Sequence, residues 1–220
     1  MVQISATRRP EPREARDPSE RVLERKREIL DAASRVFRRR GLQTTGMRDI
    51  AAELGMAVGN LYYYFKDKGE LLAFVQEDAL AGLLDLAARV REAPLRADAK
   101  LFRLIEEHVV RLNEGTPGSL AHLEVEALGE TWRREVQERR DEYERAFRDL
   151  LEEGIAAGVF RPVDPKVSAL AILGAVNWTV KWFRPEGRKT AREIGREQAE
   201  LLVRGVLAEG VELNRPERSA

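Results

Sequence analysis

The side chains best placed to do chemistry are Arg48, Asn60, Tyr62, Tyr63, Lys66 and Lys68, and that chemistry is recognition of an anion. Tyrosine hydroxyls and lysine ammonium groups suit phosphate oxygens, while Asn suits adenine and Arg suits guanine edges in the major groove. Gly59 lets a backbone come close to such a partner. Catalysis has far less to work with. There is no cysteine, which removes disulfides, thiolate metal sites and thiol catalysis. Only two histidines are present, His108 and His122, so no histidine-based metal centre is expected. No GxSxG turn or phosphate-binding glycine loop occurs. The many glutamates have arginines three or four residues away, which reads as solvated ion pairing on helix faces. No enzymatic activity, cofactor or metal is expected.

The recognition residues need two short helices to hold them. In TTGMRDIAAELGMAVGNLYYYFKDK (44–68), Ile50, Ala51 and Leu54 have helical spacing, which predicts a helix over 47–54. Thr45 stands where an N-cap is needed, its hydroxyl set to accept an orphan backbone N–H. Gly55 supplies the left-handed conformation that ends a helix. A second helix is predicted over 58–65, with Leu61 and Phe65, four apart, facing inward. Tyr62, Tyr63 and part of Tyr64 must then face elsewhere. This is a helix-turn-helix, whose second helix enters the major groove of DNA. Tyrosine is also common in partly buried cores, so it is the exposed chemistry, more than the helix pair, that points to DNA.

The longer stretch ILDAASRVFRRRGLQTTGMRDIAAELGMAVGNLYYYFKDKGELL (29–72) resembles the N-terminal domain of the TetR family of bacterial transcriptional regulators. The resemblance rests on Ala32, Ala33 and Phe37, on Gly41 and Thr45, on the RDIA run from Arg48 to Ala51, on Gly55, and on LYYYF-x-x-K from Leu61 to Lys68. Three positions depart from the family pattern. Ala57 replaces a usual serine cap, Gly46 a Ser or Thr, and Gly69 a Glu. The first two departures remove hydroxyls that would contact phosphate. The residues expected on DNA are Thr45, Gly46, Arg48, Val58, Gly59, Asn60, Tyr62, Tyr63, Lys66 and Lys68.

Total charge at first argues against DNA, since 38 Lys+Arg balance 38 Asp+Glu. Its distribution reverses that. Residues 1–70 hold 15 Lys+Arg and 11 Asp+Glu, so the positive excess lies at the helix-turn-helix end. The 7 lysines are far outnumbered by 31 arginines, which fits either thermophilic ion-pair networks or a GC-rich genome. No apolar run reaches the roughly 18 residues of a membrane span. The polar, Pro/Arg-rich start lacks the apolar core of a signal peptide. A cytoplasmic protein without membrane contact is expected.

A chain of 220 residues suits one or two domains. Periodicity predicts an all-α fold of about nine helices with no strand or repeat. The first helix spans about 20–39, stopped by Gly41. Asp67 and Glu70 form a capping box for a long fourth helix to about residue 91, which joins two domains. A fifth helix follows over 98–113, a GTPG turn at 115–118, a short sixth over 119–127 and a charged seventh to about 154. An apolar eighth helix over 166–183 opens on Asp164–Pro165, and a last one runs from the Thr190–Glu193 capping box to about 209. The domains read as a disordered tail over 1–19, a DNA-binding domain over 20–67, a ligand-binding and dimerisation domain over 68–212, and a tail over 213–220. The first tail is alternatively a basic arm for the minor groove, although Glu11, Glu14 and Asp17 interrupt its charge.

The C-terminal half suggests self-association and a ligand. Leu170, Leu173, Val176, Val180, Leu201, Leu202, Val206 and Leu207 exceed what one small domain needs, so the last two helices are expected to pair with their two-fold mates. A homodimer would also set two recognition helices about one DNA turn, roughly 34 Å, or a multiple of it, apart. Polar residues on apolar faces mark a candidate pocket: His108, Tyr143, Asn177 and Lys181, with Phe102, Ile105, Val109, Phe147, Leu173 and Trp178. Each polar one is alternatively a satisfied core group. The stretches RRDEYERAFRDLLEEGIAAGVFRPVDP (139–165) and LGAVNWTVKWFRPEGR (173–188) are similar to the TetR subgroup that controls fatty-acid and steroid breakdown. That resemblance implies an acyl-CoA inducer, with Arg133, Arg134, Arg139, Arg140 and Lys181 as candidates for its phosphates. The function implied is a homodimeric repressor released from a palindromic operator by a small molecule. The alternatives are a drug- or solvent-sensing regulator of an efflux gene, and a nucleoid or scaffold protein without ligand.

Overall fold

Residues that start and stop helices set the course of the chain. In the computed structural model, which describes residues 17–115, 128 and 130–216, α1 (Pro18–Arg40) opens on Asp17, whose carboxylate accepts from the Ser19 N–H at 3.1 Å. Gly41 closes α1 at a φ of 84°, its N–H donating to the Phe37 carbonyl at 2.8 Å. α2 (Met47–Glu53) and α3 (Val58–Tyr64) follow, separated by Gly55 at a φ of 62°. α4 (Lys68–Glu92) starts on Asp67, whose carboxylate accepts from the Glu70 N–H at 2.8 Å. The capping box predicted there is half formed, because the Glu70 carboxylate accepts from the Lys66 N–H at 2.6 Å instead.

α5 (Ala97–Val110) runs on into one π-helical turn, Arg111–Gly115. α6 (Glu130–Ala156), α7 (Pro165–Asn177), α8 (Thr179–Trp182) and α9 (Ala191–Arg204) complete the described helices. The Asp164 carboxylate caps α7 through the Val167 N–H at 2.9 Å, and Thr190 and Glu193 form the reciprocal box on α9. The described residues contain no strand, only one isolated bridge between Phe160 and Leu207. Tail residues 1–16, the turn beyond Gly115, the sixth helix predicted over 119–127 and residues 217–220 lie outside the described residues.

Two helices differ from expectation. The helix predicted over 166–183 breaks at Trp178. There the Thr179 hydroxyl donates to the Val176 carbonyl at 2.7 Å and accepts from the Asn113 amide at 2.8 Å, a side-chain bond that competes with the helical one. The last helix stops at Arg204, not near 209. The backbone groups just beyond it pair with the return loop: Arg161 N–H donates to Val206 O at 2.9 Å and Ala208 N–H to Val159 O at 3.0 Å. The return loop packs Phe160 on Gly154 so closely that a Cβ at Gly154 would lie 2.1 Å from the ring.

The apolar residues form two cores, and α4 belongs to both. Its Leu71, Leu72, Val75 and Leu80 pack with Ile29, Phe37, Ile50, Leu61 and Phe65 of α1 to α3, and with Val136 of α6. Its Leu83, Leu86 and Val90 pack with α5, α6, α7 and α9. The first core therefore runs past the boundary expected at 67/68 and takes in part of α6. Gln76, fully buried between the two on α4, makes no hydrogen bond through either side-chain atom to another protein group.

A chain of hydrogen bonds ties α5, α6 and α7 together. His108 Nδ1 lies 3.0 Å from the Tyr143 hydroxyl and Nε2 lies 3.0 Å from Asn177 Oδ1. Burial pushes the His108 pKa down to about 4 and the Tyr143 pKa up, so both are neutral. An amide oxygen only accepts, so Nε2 carries the proton and Nδ1 accepts from the tyrosine. The expected consequence is non-additivity. Asn177→Leu and Tyr143→Phe should each lower stability by about 1–3 kcal/mol, and the double variant by less than their sum. Denaturant unfolding of the four proteins checks this, and strict additivity would mean that the chain is not a unit.

Candidate functional site

The first site is built on α3. Leu61 and Phe65 are fully buried and fix its inner face, while Lys26 of α1 lies over the Phe65 and Phe74 rings at 5.1 and 5.2 Å. α2 is tied to α1 by ion pairs of Glu53 with Arg35 and Arg39, and of Asp49 with Arg40. With the inner face fixed, Gly59, Asn60, Tyr62 and Tyr63 stand outside, Tyr63 at 77% exposure. Tyr64 packs edge-on against Tyr63 at 5.1 Å. Arg48 and Lys66 are exposed, and Val58 is half-buried.

Three predicted residues behave differently. Thr45 is buried and is not the N-cap; its hydroxyl donates to the Gly41 carbonyl at 2.7 Å. Gly46 takes the cap position, its N–H bonded to the Asp49 carboxylate at 2.9 Å. The sequence placed the cap one residue early because a threonine is the more usual capping type. Lys68 points its Nζ at the Leu42 carbonyl, which fastens α4 to the turn after α1. Ala57 caps α3 with no side-chain bond, as its residue type requires.

The second site is a cleft of about 310 Å³ between α6 and α7, floored by α5. His108, Tyr143, Leu173 and Asn177 line it as the sequence suggested, with Leu80, Gln137, Arg140, Asp141, Glu144, Leu170 and Gly174. The spacing of Gln137, Arg140, Asp141 and Glu144 around Tyr143 places them on neighbouring faces of α6, a signal present in the sequence. Ile105, Val109 and Phe147 are instead closed in the core, and Phe102, beneath the Arg196 guanidinium at 5.6 Å, lies at the base of a separate cleft beside α9. Trp178 and Lys181 face outward, outside the cleft, because the helix break turns them away. Val167, Leu170, Trp178, Trp182 and Leu201 form an exposed apolar face on α7 to α9, Leu201 at 72% exposure. Val176 and Val206, expected on that face, are buried within the chain. A larger cleft of about 570 Å³ between Trp182–Lys189 and α9 continues this apolar face and lies apart from the buried polar chain. Among the described residues no helix is long and apolar enough to cross a membrane.

Comparison with known proteins gives the family. Residues 29–75 match the family model for bacterial regulatory proteins of the tetR family, and residues 94–206 match that for the tetracyclin repressor-like C-terminal domain. The chain is 30% identical over 203 residues to the HTH-type transcriptional repressor KstR2 of Mycobacterium tuberculosis, covering 86% of this chain and 96% of that one. Among solved structures, the TetR family regulator PfmR from Thermus thermophilus superposes with a TM-score of 0.75 at 32% identity, covering 80% of this chain and 97% of PfmR. AibR in complex with isovaleryl coenzyme A and operator DNA superposes with a TM-score of 0.73 at 27% identity, covering 81% of this chain and 98% of AibR. The exposed α3 and the two family matches agree: this chain belongs to the TetR family of bacterial transcriptional regulators.

Proposed function

We propose that the chain is a ligand-responsive repressor that binds a palindromic operator as a homodimer and is released by a fatty acyl-CoA. The observation that carries this is the cleft between α6 and α7, where Leu80, Leu170 and Leu173 face a polar wall of α6 over a floor of neutral, mutually bonded groups. Such a site suits an apolar chain with one polar function. The similarity to KstR2, a repressor by name, and to AibR, solved with an acyl-CoA and operator DNA, supports the same reading. The exposed apolar face of α7 to α9 supports the dimer. Such a repressor acts in the cytoplasm, with the chromosome. Arg48 and Asn60 would reach base edges, with Tyr62, Tyr63 and Lys66 on phosphates. Because α4 is shared by both cores, the ligand would act by preferring one placement of α4 over another.

Two measurements test this. On DNA, Lys66→Ala should weaken binding to all sequences alike and reduce the salt slope by about one. Tyr63→Phe should weaken binding without changing that slope, since it removes a hydrogen bond and no charge. Asn60→Ala should relax preference at one half-site position by about 1–3 kcal/mol. Unchanged selection from a randomised operator library would remove Asn60 from the base-reading set. In an operator-release titration, saturating acyl-CoA should lower operator affinity about 5- to 150-fold, with an optimum in chain length. If acyl-CoAs leave affinity unchanged and a lipophilic drug releases the DNA, the efflux reading replaces this one.

A further inference from the structure

The five cations expected to serve CoA phosphates fall into different environments. Arg133 donates to the Leu128 carbonyl at 3.1 Å, and Arg134 pairs with Glu130 at 3.9 Å in solvent. Arg139 and Lys181 are exposed and outside the cleft. Arg140 alone lines it. Its Nε is sealed from solvent and bonds to nothing, and no ion pair joins it to a carboxylate among the described residues. Of the acids beside it, Asp141 accepts from the Gln137 amide at 2.8 Å, and Glu144 lies 3.0 Å from Arg148 without a hydrogen bond between them. Burial lowers the Arg140 pKa from the usual arginine range with no opposing charge to restore it.

A second guanidinium has a similar environment. Arg111, on the π-helical turn, has an Nε that is likewise buried and unpartnered. Gly82 of α4 leaves room for it, since a Cβ there would lie 3.2 Å from Nη1. The cleft also offers a neutral donor. Asn177 Oδ1 is taken by His108, while its NH₂ makes no hydrogen bond among the described residues. A half-buried cation without a counter-charge is poorly stabilised until something completes it.

We propose that Arg140 is the anion anchor of this cleft: it receives an anionic oxygen of a ligand whose apolar part lies along Leu80, Leu170 and Leu173, while the Asn177 amide donates to its carbonyl. This rests on the acyl-thioester reading and adds the residue that reads the charge. A cleft of about 310 Å³ is at the small end for ligand sites, so the acyl part enters and the nucleotide stays at the mouth. The anion is then a CoA phosphate, or the carboxylate of a free fatty acid, which has the same chemistry.

The experiment uses the full chain, wild type, Arg140→Met and Arg140→Lys, titrated with decanoyl-CoA, decanoyl-pantetheine and decanoate. Arg140→Met should weaken decanoyl-CoA binding at least about tenfold and leave decanoyl-pantetheine unchanged, with Arg140→Lys recovering part of the loss. Without ligand, Arg140→Met should melt about 2 °C or more above wild type, because it removes an unpaired, half-buried charge. If decanoate binds and is lost in Arg140→Met while decanoyl-CoA never binds, the anchor stands and the thioester reading fails. Equal decanoyl-CoA binding by all three proteins overturns the anchor and keeps that reading. A lower melting temperature for Arg140→Met makes the guanidinium a structural group and also overturns it. If wild type binds none of the three, both ideas fall.

Discussion

The C-terminal half is organised around one constraint: α5 is buried on nearly every side and still carries polar residues. Eleven of its residues are buried, and Asp98, Lys100, Glu106 and His108 are among them. Each must find a partner or destabilise the fold. Asp98 is held by Arg96 at 2.7 Å and by the Asn214 N–H at 2.7 Å, which fastens the C-terminal segment. Lys100 reaches Glu153 of α6 at 3.0 Å. Glu106 takes Arg192 and Arg196 of α9 at 3.1 and 3.7 Å. His108 joins α6 and α7. The four polar groups thus specify which helices surround α5, while the apolar residues supply most of the burial. Gly195 completes this arrangement, since a Cβ there would sit 2.8 Å from the Glu106 carbonyl oxygen.

Against that pattern of paired groups, the unpaired ones stand out. Gln76 on α4 and Arg140 on α6 are two of the polar side chains that the fold leaves incomplete. Stability alone would replace both with apolar residues. Their positions differ in meaning. Arg140 opens onto a cleft, where an outside molecule can complete it. Gln76 is fully enclosed on α4, so only a rearrangement of its neighbours can supply its bonds.

Much of this was legible in the sequence, for local reasons. Gly41, Gly55, Asp164–Pro165 and Thr190–Glu193 act within a few residues, and each marks a helix end where expected. The recognition helix was legible because Leu61 and Phe65 fix one face and leave tyrosines for the other. What was not legible depends on distant partners. The break after Asn177 needs Asn113 from the turn after α5, and the early end of α9 needs the strand-like return past Phe160. Four of ten proposed ligand residues line the cleft, because apolar periodicity cannot tell a closed core from a cavity wall. Phe147 has the same spacing signal as Leu173, yet only Leu173 meets open space.

The sharing of α4 between two cores has a mechanical consequence. Its 25 residues make a rod of roughly 37 Å at about 1.5 Å per residue. A rod gripped at both ends converts angle into distance. A tilt of about 5° around one end carries the other by roughly 3 Å, close to the rise between neighbouring base pairs. In the mechanism proposed above, the sensor end would have to change only where the reader is held, and a displacement of that size would put one half of a dimer out of step with its groove.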